Sequence, residues 1–247
     1  MGIKGLSNLL KDHTEIINLS DLSNKTLVID TSIYMYKFMY MSNSYEFINK
    51  FRFQIKNFKK YNITPIYIFD GVSPKLKQDL KDKRKLTKNI IITKENVVEL
   101  KQMLKDQGVS HFTAPHEGEK YCAYINRQGY ADYVLSNDLD TLLFNCTDVI
   151  TLKGFDYTLY NLENILTKLD ILFYQLIDIG IASGCDYATH GIKGLGPKKS
   201  LNLSKEHLTN FLSKYQVDFD IEEVKRLFLN FDDEKEAFEL IKDTFLK

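Results

Sequence analysis

This chain of 247 residues has only three cysteines, Cys122, Cys146 and Cys185, with no short spacing between them. So scattered an odd set excludes a disulfide framework and a cysteine-paired zinc site. It fits reduced, buried thiols in an intracellular protein. The five histidines show no metalloprotease spacing. No run is long and apolar enough to read as a membrane span, and the N-terminus lacks the apolar stretch of a signal peptide. Met1-Gly2 invites lipidation, but Leu6 stands where a myristoylation motif wants Ser or Thr. There is no internal repeat and no low-complexity linker. Net charge is absent too, because 33 Lys and Arg balance 33 Asp and Glu. That argues against a generally sticky nucleic-acid binder, so any such contact must come from local patches. Carboxylates that hold metal ions would subtract from the same sum. The length, with 44% hydrophobic and 27% charged residues, fits one large soluble globular domain or one with a small annex.

What is present is a set of acids at strand ends. Asp30 ends Thr26-Leu-Val-Ile-Asp30, and Asp70 ends Pro65-Ile-Tyr-Ile-Phe-Asp70. Glu117 and Glu119 sit in Ala114-Pro-His-Glu117-Gly-Glu119, Asp138 and Asp140 follow Tyr133-Val-Leu-Ser-Asn, and Asp186 lies in Gly184-Cys-Asp186-Tyr. Three of the four groups before Asp186 end a short apolar run that reads as a buried strand. In an open parallel sheet, ligands bind outside the carboxyl ends of strands, so the acids converge. Carboxylates crowded there repel one another without cations. Oxygen ligands with no matching His or Cys set suit Mg²⁺ or Mn²⁺. A lone Asp after a strand is usually a helix N-cap, and that explains Asp30 taken alone. It does not explain two acid pairs at two-residue spacing, which instead point to a two-metal site hydrolysing phosphodiesters.

Periodicity organises the rest. Helices are expected at 4–10, 31–41, 45–60, 94–107, from the Glu117/Glu119 segment to about 128, and at 171–183. Strands are expected at 27–29, 66–69, 110–113, 133–135 and 149–152, and only helices from Gly191 onward. Alternating strand and helix implies an α/β core with a mostly parallel sheet flanked by helices. Residues 1–170 read as that core, with a short arch at about 75–93. Residues 171–247 read as a helical region belonging to the same compact unit.

Three further features bear on nucleic acid. Gly191, Gly194 and Gly196 precede Pro197-Lys198-Lys199-Ser200. Glycines permit tight turns, Pro suits a first helical turn, and exposed amides there bind phosphate. Lysines in a first turn oppose the helix dipole unless an anion is present. The plain alternative is a glycine-rich connection that binds nothing. Lys75 to Lys88 is strongly basic, opposed only by Asp79 and Asp82. Such a run is usually a solvated face, but this one follows the Asp70 strand end and could guide phosphates to the acids. Tyr34, Tyr36, Phe38 and Tyr40 follow Asp30 at helical spacing. Most must be core, and one could stack on an unpaired base.

These motifs resemble, in order and spacing from Met1 to about Leu203, the flap endonuclease branch of the structure-specific 5′-nuclease superfamily. The resemblance rests on Met1-Gly-Ile-Lys-Gly-Leu, Val28-Ile-Asp30-Thr-Ser-Ile-Tyr34-Met-Tyr36, Ile68-Phe-Asp70-Gly71 through Lys77 to Lys83-Arg84, and the segments around Glu117/Glu119, Asp138/Asp140 and Asp186. It also covers Gly191 to Ser200, as a helix–two-turn–helix element spanning about 191–213. It implies that Asp30, Asp70, Glu117, Glu119, Asp138, Asp140 and Asp186 hold two divalent metals, some through water. Lys77 and Arg84 would contact the scissile phosphate, with Lys83 beside them on DNA. Tyr36 would stack on a base, and Gly2 would lie near the site. Gly191, Gly194 and Gly196, with Lys198 and Lys199, would grip the uncleaved duplex, with K⁺ on backbone carbonyls.

The expected function is a Mg²⁺-dependent 5′-nuclease on flaps, nicks or gaps in DNA, with Mn²⁺ able to substitute. It would be an intracellular monomer acting where DNA is replicated, repaired or recombined, in a nucleus or at a viral replication site. Alternatives are a 5′→3′ exonuclease on duplex DNA or RNA and a non-catalytic nucleic-acid scaffold. The sequence departs from cellular relatives in short Tyr36–Asp70 and Lys85–His116 stretches. No helical cap and no Gln-x-x-Leu-x-x-Phe-Phe sliding-clamp motif can be read, which fits a compact, virus-like member.

Overall fold

The computed structural model describes residues 2–41, 46–72, 91–206, 212 and 215–245. Seven strands form its sheet: β1 (Glu15–Ile17), β2 (Thr26–Asp30), β3 (Thr64–Phe69), β4 (His111–Thr113), β5 (Tyr133–Leu135), β6 (Asp148–Lys153) and β7 (Asp156–Asn161), in the order β1-β7-β6-β5-β2-β3-β4. The central β2 is buried on both faces, as its unbroken Leu-Val-Ile run requires. Its side chains alternate: Val28 enters one core, Leu27 and Ile29 the other. β6, β5, β2, β3 and β4 run parallel. The sheet is nevertheless mixed, because β7 folds back antiparallel on β6 and β1 pairs antiparallel with β7. The hairpin has a two-residue loop, Gly154-Phe155, with Gly154 at φ +61°. That conformation favours glycine and suits a tight hairpin.

One face of the sheet is covered by α1 (Leu6–Leu10), α5 (Gly118–Arg127) and α7 (Phe173–Ser183). Phe228 of α9 (Ile221–Leu229) and Phe238 of α10 (Asp232–Glu239) enter that same core. The other face is covered by α2 (Thr31–Met41), α3 (Phe47–Lys60) and α4 (Lys94–Asp106), where Tyr34, Phe38, Phe47, Phe51 and Phe58 pack against Tyr67. Two more helices complete the described set, α6 (Leu162–Leu169) and α8 (Pro197–Glu206).

The connections decide where a ligand can sit. The chain leaves β2 through α2 and α3 to β3, then through α4 to β4, always moving to one side of β2. After α5 it returns to place β5 on the other side. The order therefore reverses between β2 and β5, and the carboxyl ends of those strands flank the crevice where such folds bind ligands.

Candidate active site

Asp30 is the last residue of β2, and Asp70 directly follows β3. Glu117 is the N-cap residue of α5 and Glu119 lies in its first turn. Asp138 caps a 3₁₀ helix, Leu139–Phe144, that starts just past β5. Asp186 follows α7 through Gly184 and Cys185. All but Asp70 are buried.

Short contacts tie these acids together. The Gly118 amide donates to Asp70 Oδ1 at 2.8 Å. A Cβ added to Gly118 would stand 3.1 Å from that oxygen and 3.7 Å from Asp30 Oδ1, so the two carboxylates meet over this glycine. Ser136 Oγ donates to Asp30 Oδ2 at 3.1 Å and accepts from the Asp138 amide at 3.1 Å. Asp138 Oδ1 accepts from the Asp140 amide at 3.1 Å. The Ile3 amide donates to Asp140 Oδ1 at 2.8 Å. Gly2, at φ +91°, lies against the same pair. A Cβ there would fall 2.3 Å from Asp138 Oδ1 and 3.0 Å from Asp140 Oδ1. The buried Tyr187 hydroxyl donates to Glu117 Oε2.

The electrostatics report the crowding. Burial, then the charge of Asp70, pushes the Asp30 carboxyl up to about 7; Asp138 adds to the rise and the Ser136 hydrogen bond opposes it. The Cys122 thiol, inside α5, is pushed up by burial first and then by Asp30, with Asp70 and Glu119 contributing. Cys185 is pushed up to about 12 by burial and then by Asp140, with Asp186 adding to it. These are the marks of one negative region shared by strand ends and the α5 and α7 termini.

A divalent cation fits that region. The donors are oxygens, and positive charge placed among Asp30, Asp70 and Asp138 would offset their mutual repulsion and favour the ionised carboxylates. Among the described residues no three side chains already form a closed coordination set. A cation that keeps several of its own waters, as Mg²⁺ does, does not need one.

The expected DNA contacts are placed unevenly. Lys77, Lys83 and Arg84 fall in residues 73–90, outside the described residues, with most of the expected arch. On α2, Tyr34 and Phe38 are core, Tyr36 is half-buried and Tyr40 is exposed. Gly191 is at φ +52°, and a Cβ there would come within 2.5 Å of the Ala182 carbonyl and the Gly184 nitrogen. Gly194 is at φ +85°. Gly196 needs neither, since its φ is ordinary and a Cβ would meet nothing within 4 Å. Of the three, Gly191 and Gly194 thus adopt a conformation that favours glycine. Pro197 opens α8, and Lys198 and Lys199 are exposed in its first turn, which holds no acidic residue. A Cβ on Gly5 would stand 3.6 Å from Pro197 Cδ, so the start of α8 lies by the N-terminal segment that lines the acids.

Three contributors were not read from sequence as parts of the site. Ser136 links Asp30 to the Asp138 turn. Tyr187 holds Glu117. Asn137 accepts from the Leu152 amide at 2.7 Å and donates to its carbonyl at 3.0 Å. Its side chain thereby extends the β5–β6 ladder while the main chain turns away toward Asp138. The only signal was position, since each lies within two residues of a site acid.

The sequence and the fold are similar to those of known proteins. The sequence matches the XPG N-terminal domain over residues 1–90 and the XPG I-region over residues 108–186. Flap endonuclease 1 of Methanococcus aeolicus is 32% identical, over 87% of this chain and 78% of that protein. Flap endonuclease 1 of Methanobrevibacter smithii is 31% identical, over 93% and 83%. The fold superposes on flap endonuclease-1 from Methanococcus jannaschii with a TM-score of 0.73 at 24% identity, covering 98% of this chain and 93% of that one. It superposes on the catalytic core of Rad2 in complex with DNA substrate with a TM-score of 0.78 at 22% identity, covering 92% and 85%. By its acids, its fold and its relatives, the chain belongs to the flap endonuclease family of 5′-nucleases.

Proposed function

We propose that this protein cleaves DNA at 5′ flaps, nicks or gaps, at the carboxylate cluster between β2 and β5. Membership of the family makes it a structure-specific 5′-nuclease acting on DNA flaps, for which dependence on a divalent metal, generally Mg²⁺, is expected. The observation that carries the site assignment is the joining of Asp30, Asp70, Asp138 and Asp140 through Gly118, Ser136 and Ile3 at the strand-order reversal.

In this reading Asp30, Asp70, Glu117, Glu119, Asp138, Asp140 and Asp186 hold two Mg²⁺ ions, with Mn²⁺ as a substitute. When bound, the ions supply an activated water and neutralise charge on the leaving oxygen. The chain's own groups do the rest. Ser136, the Ile3 and Gly118 amides and Tyr187 fix the carboxylates, so little reorganisation is left for the reaction. Lys77 and Arg84 stabilise charge growing on the phosphate, and Lys83 holds the strand nearby. Tyr36 stacks on the adjacent base. Gly2, close against Asp138, lies beside the bound DNA. Gly191, Gly194 and Gly196, with Lys198 and Lys199, hold phosphates of the uncleaved duplex through amides and charge, with K⁺ at the turn carbonyls. Residues 1–170 and 171–247 act as one monomeric nuclease unit at intracellular sites of DNA metabolism.

The few residues between Arg84 and α4 favour a second reading, 5′→3′ exonuclease action on nicked duplex DNA or RNA. Product mapping separates the two. With labelled flap, nick, gap and bubble substrates in Mg²⁺, incision at the flap base is expected. Stepwise release of mononucleotides with no flap incision would favour the exonuclease, and inertness on every substrate would refute both.

A further inference from the structure

The family matches cover residues 1–90 and 108–186, and α10 lies beyond both. Its first turn nevertheless reaches back to the helix that carries the acids. Lys120, one residue after Glu119, pairs with Glu234 at 3.3 Å, with the Glu234 side chain 1% and the Lys120 side chain 11% exposed. His116, one residue before Glu117, has Nε2 at 2.9 Å from Asp233 Oδ2. Its Nδ1 lies 3.1 Å from the Val72 carbonyl oxygen, and its own carbonyl accepts from the Gly71 amide at 2.7 Å. Phe231, at the head of α10, has the Lys120 ammonium 5.2 Å and the Arg127 guanidinium 4.7 Å from its ring centre.

A buried ion pair is a poor source of stability, because desolvation offsets most of the attraction. What it does well is fix register, since only one alignment pairs both charges. Here residues 116 and 120 bracket Glu117 and Glu119, so their partners set the pitch and rotation of the first turn of α5. His116 carries the same constraint to Val72, two residues past Asp70.

We infer that the first turn of α10 is a positioning element for the metal ligands. Asp233 and Glu234, through His116 and Lys120, hold Glu117, Glu119 and Asp70 where they bind divalent ions. This rests on reading those three acids as ligands. Groups that orient metal ligands typically change affinity about tenfold or more when removed.

The test is Mn²⁺ binding to the full chain without DNA, followed by paramagnetic resonance of the free ion, beside thermal unfolding. Lys120→Met, Glu234→Gln and His116→Gln should each weaken Mn²⁺ binding about tenfold. Lys120→Met with Glu234→Gln together should be no worse than either alone, and Lys120→Arg should bind as wild type. His116 is partly exposed, so its variant keeps the question answerable if the buried-pair variants fold poorly. Normal Mn²⁺ affinity in His116→Gln and Lys120→Met, with only the melting temperature lowered, would overturn the inference. Glu119→Gln separates this failure from that of the ligand reading. If it weakens Mn²⁺ while the other variants do not, α10 merely packs; if it too binds normally, the ligand assignment itself is wrong.

Discussion

Asp30 concentrates the electrostatic problem of the site. It is buried beside two other carboxylates, and its pKa stands near 7 against 3.8 for an ordinary Asp. The sign of the consequence follows from linkage. Between about pH 4 and 7 the unfolded chain has released this proton and the folded, metal-free chain keeps it. The stability Asp30 contributes is therefore complete below about pH 4 and is lost as pH rises through 7. A cation removes that loss and binds only the folded site. Mg²⁺ should then raise the melting temperature more at pH 7.5 than at pH 5, by about 2–4 °C for each kcal/mol involved. Equal gains at both pH values, in paired thermal scans, would contradict this. Asp30, Asp70, Asp138 and Asp140 stood out in the sequence because they follow apolar strand runs, whereas Asp186 follows a helix. Ser136 and Tyr187 did not stand out, because their partners lie 106 and 70 residues away and no local pattern announces them.

At the scale of elements, binding and chemistry divide. The start of α8 presents Lys198 and Lys199 to solvent after two left-handed glycines. The segment bearing Arg84 follows the Asp70 strand end in sequence. Replacing both lysines with Ala should weaken DNA binding for every sequence and lower the salt slope by about two. Arg84→Ala should leave affinity nearly intact and slow single-turnover cleavage by about 10²-fold or more. Identical behaviour of the two variants, in titrations at several salt concentrations beside rapid-quench assays, would show the roles are misassigned. Legibility was uneven here too. Helix Thr31–Met41 and strand Tyr133–Leu135 lie where periodicity puts them. The antiparallel edge was missed for physical reasons. β1 has three residues, two of them exposed, so it has no buried pattern, and β7, between β1 and β6, has Tyr160 as its one buried residue. Only Gly154 marked the hairpin.

At the scale of the whole molecule, the parallel heart of the sheet and the convergence of its acids were legible. The strand order that reverses at β2 was not, because neighbour order depends on packing between distant segments. Substrate choice belongs to this scale. Nine residues, Lys85 to Thr93, separate Arg84 from α4. Fully extended they span about 30 Å, enough to pass over a single strand but too few for a packed helical cap. A threaded free 5′ end should therefore not be obligatory. A closed bubble, and a flap blocked by a bulky protein at its 5′ end, should both be cut at rates within about tenfold of a free flap. Refusal of both substrates, with normal cleavage of the free flap, would show that the short stretch still enforces threading.

The most direct measurement is single-turnover cleavage of a labelled 5′ flap, with DNA binding measured in parallel, for wild type, Asp138→Ala and Asp140→Ala. Wild type should cut at the flap base in Mg²⁺ or Mn²⁺ and stop in excess chelator. Both variants should lose cleavage while keeping most of the binding, because the proposed DNA contacts are the basic and glycine-rich elements. Full cleavage by either variant, or by wild type in chelator, would contradict a metal-dependent nuclease centred on these carboxylates.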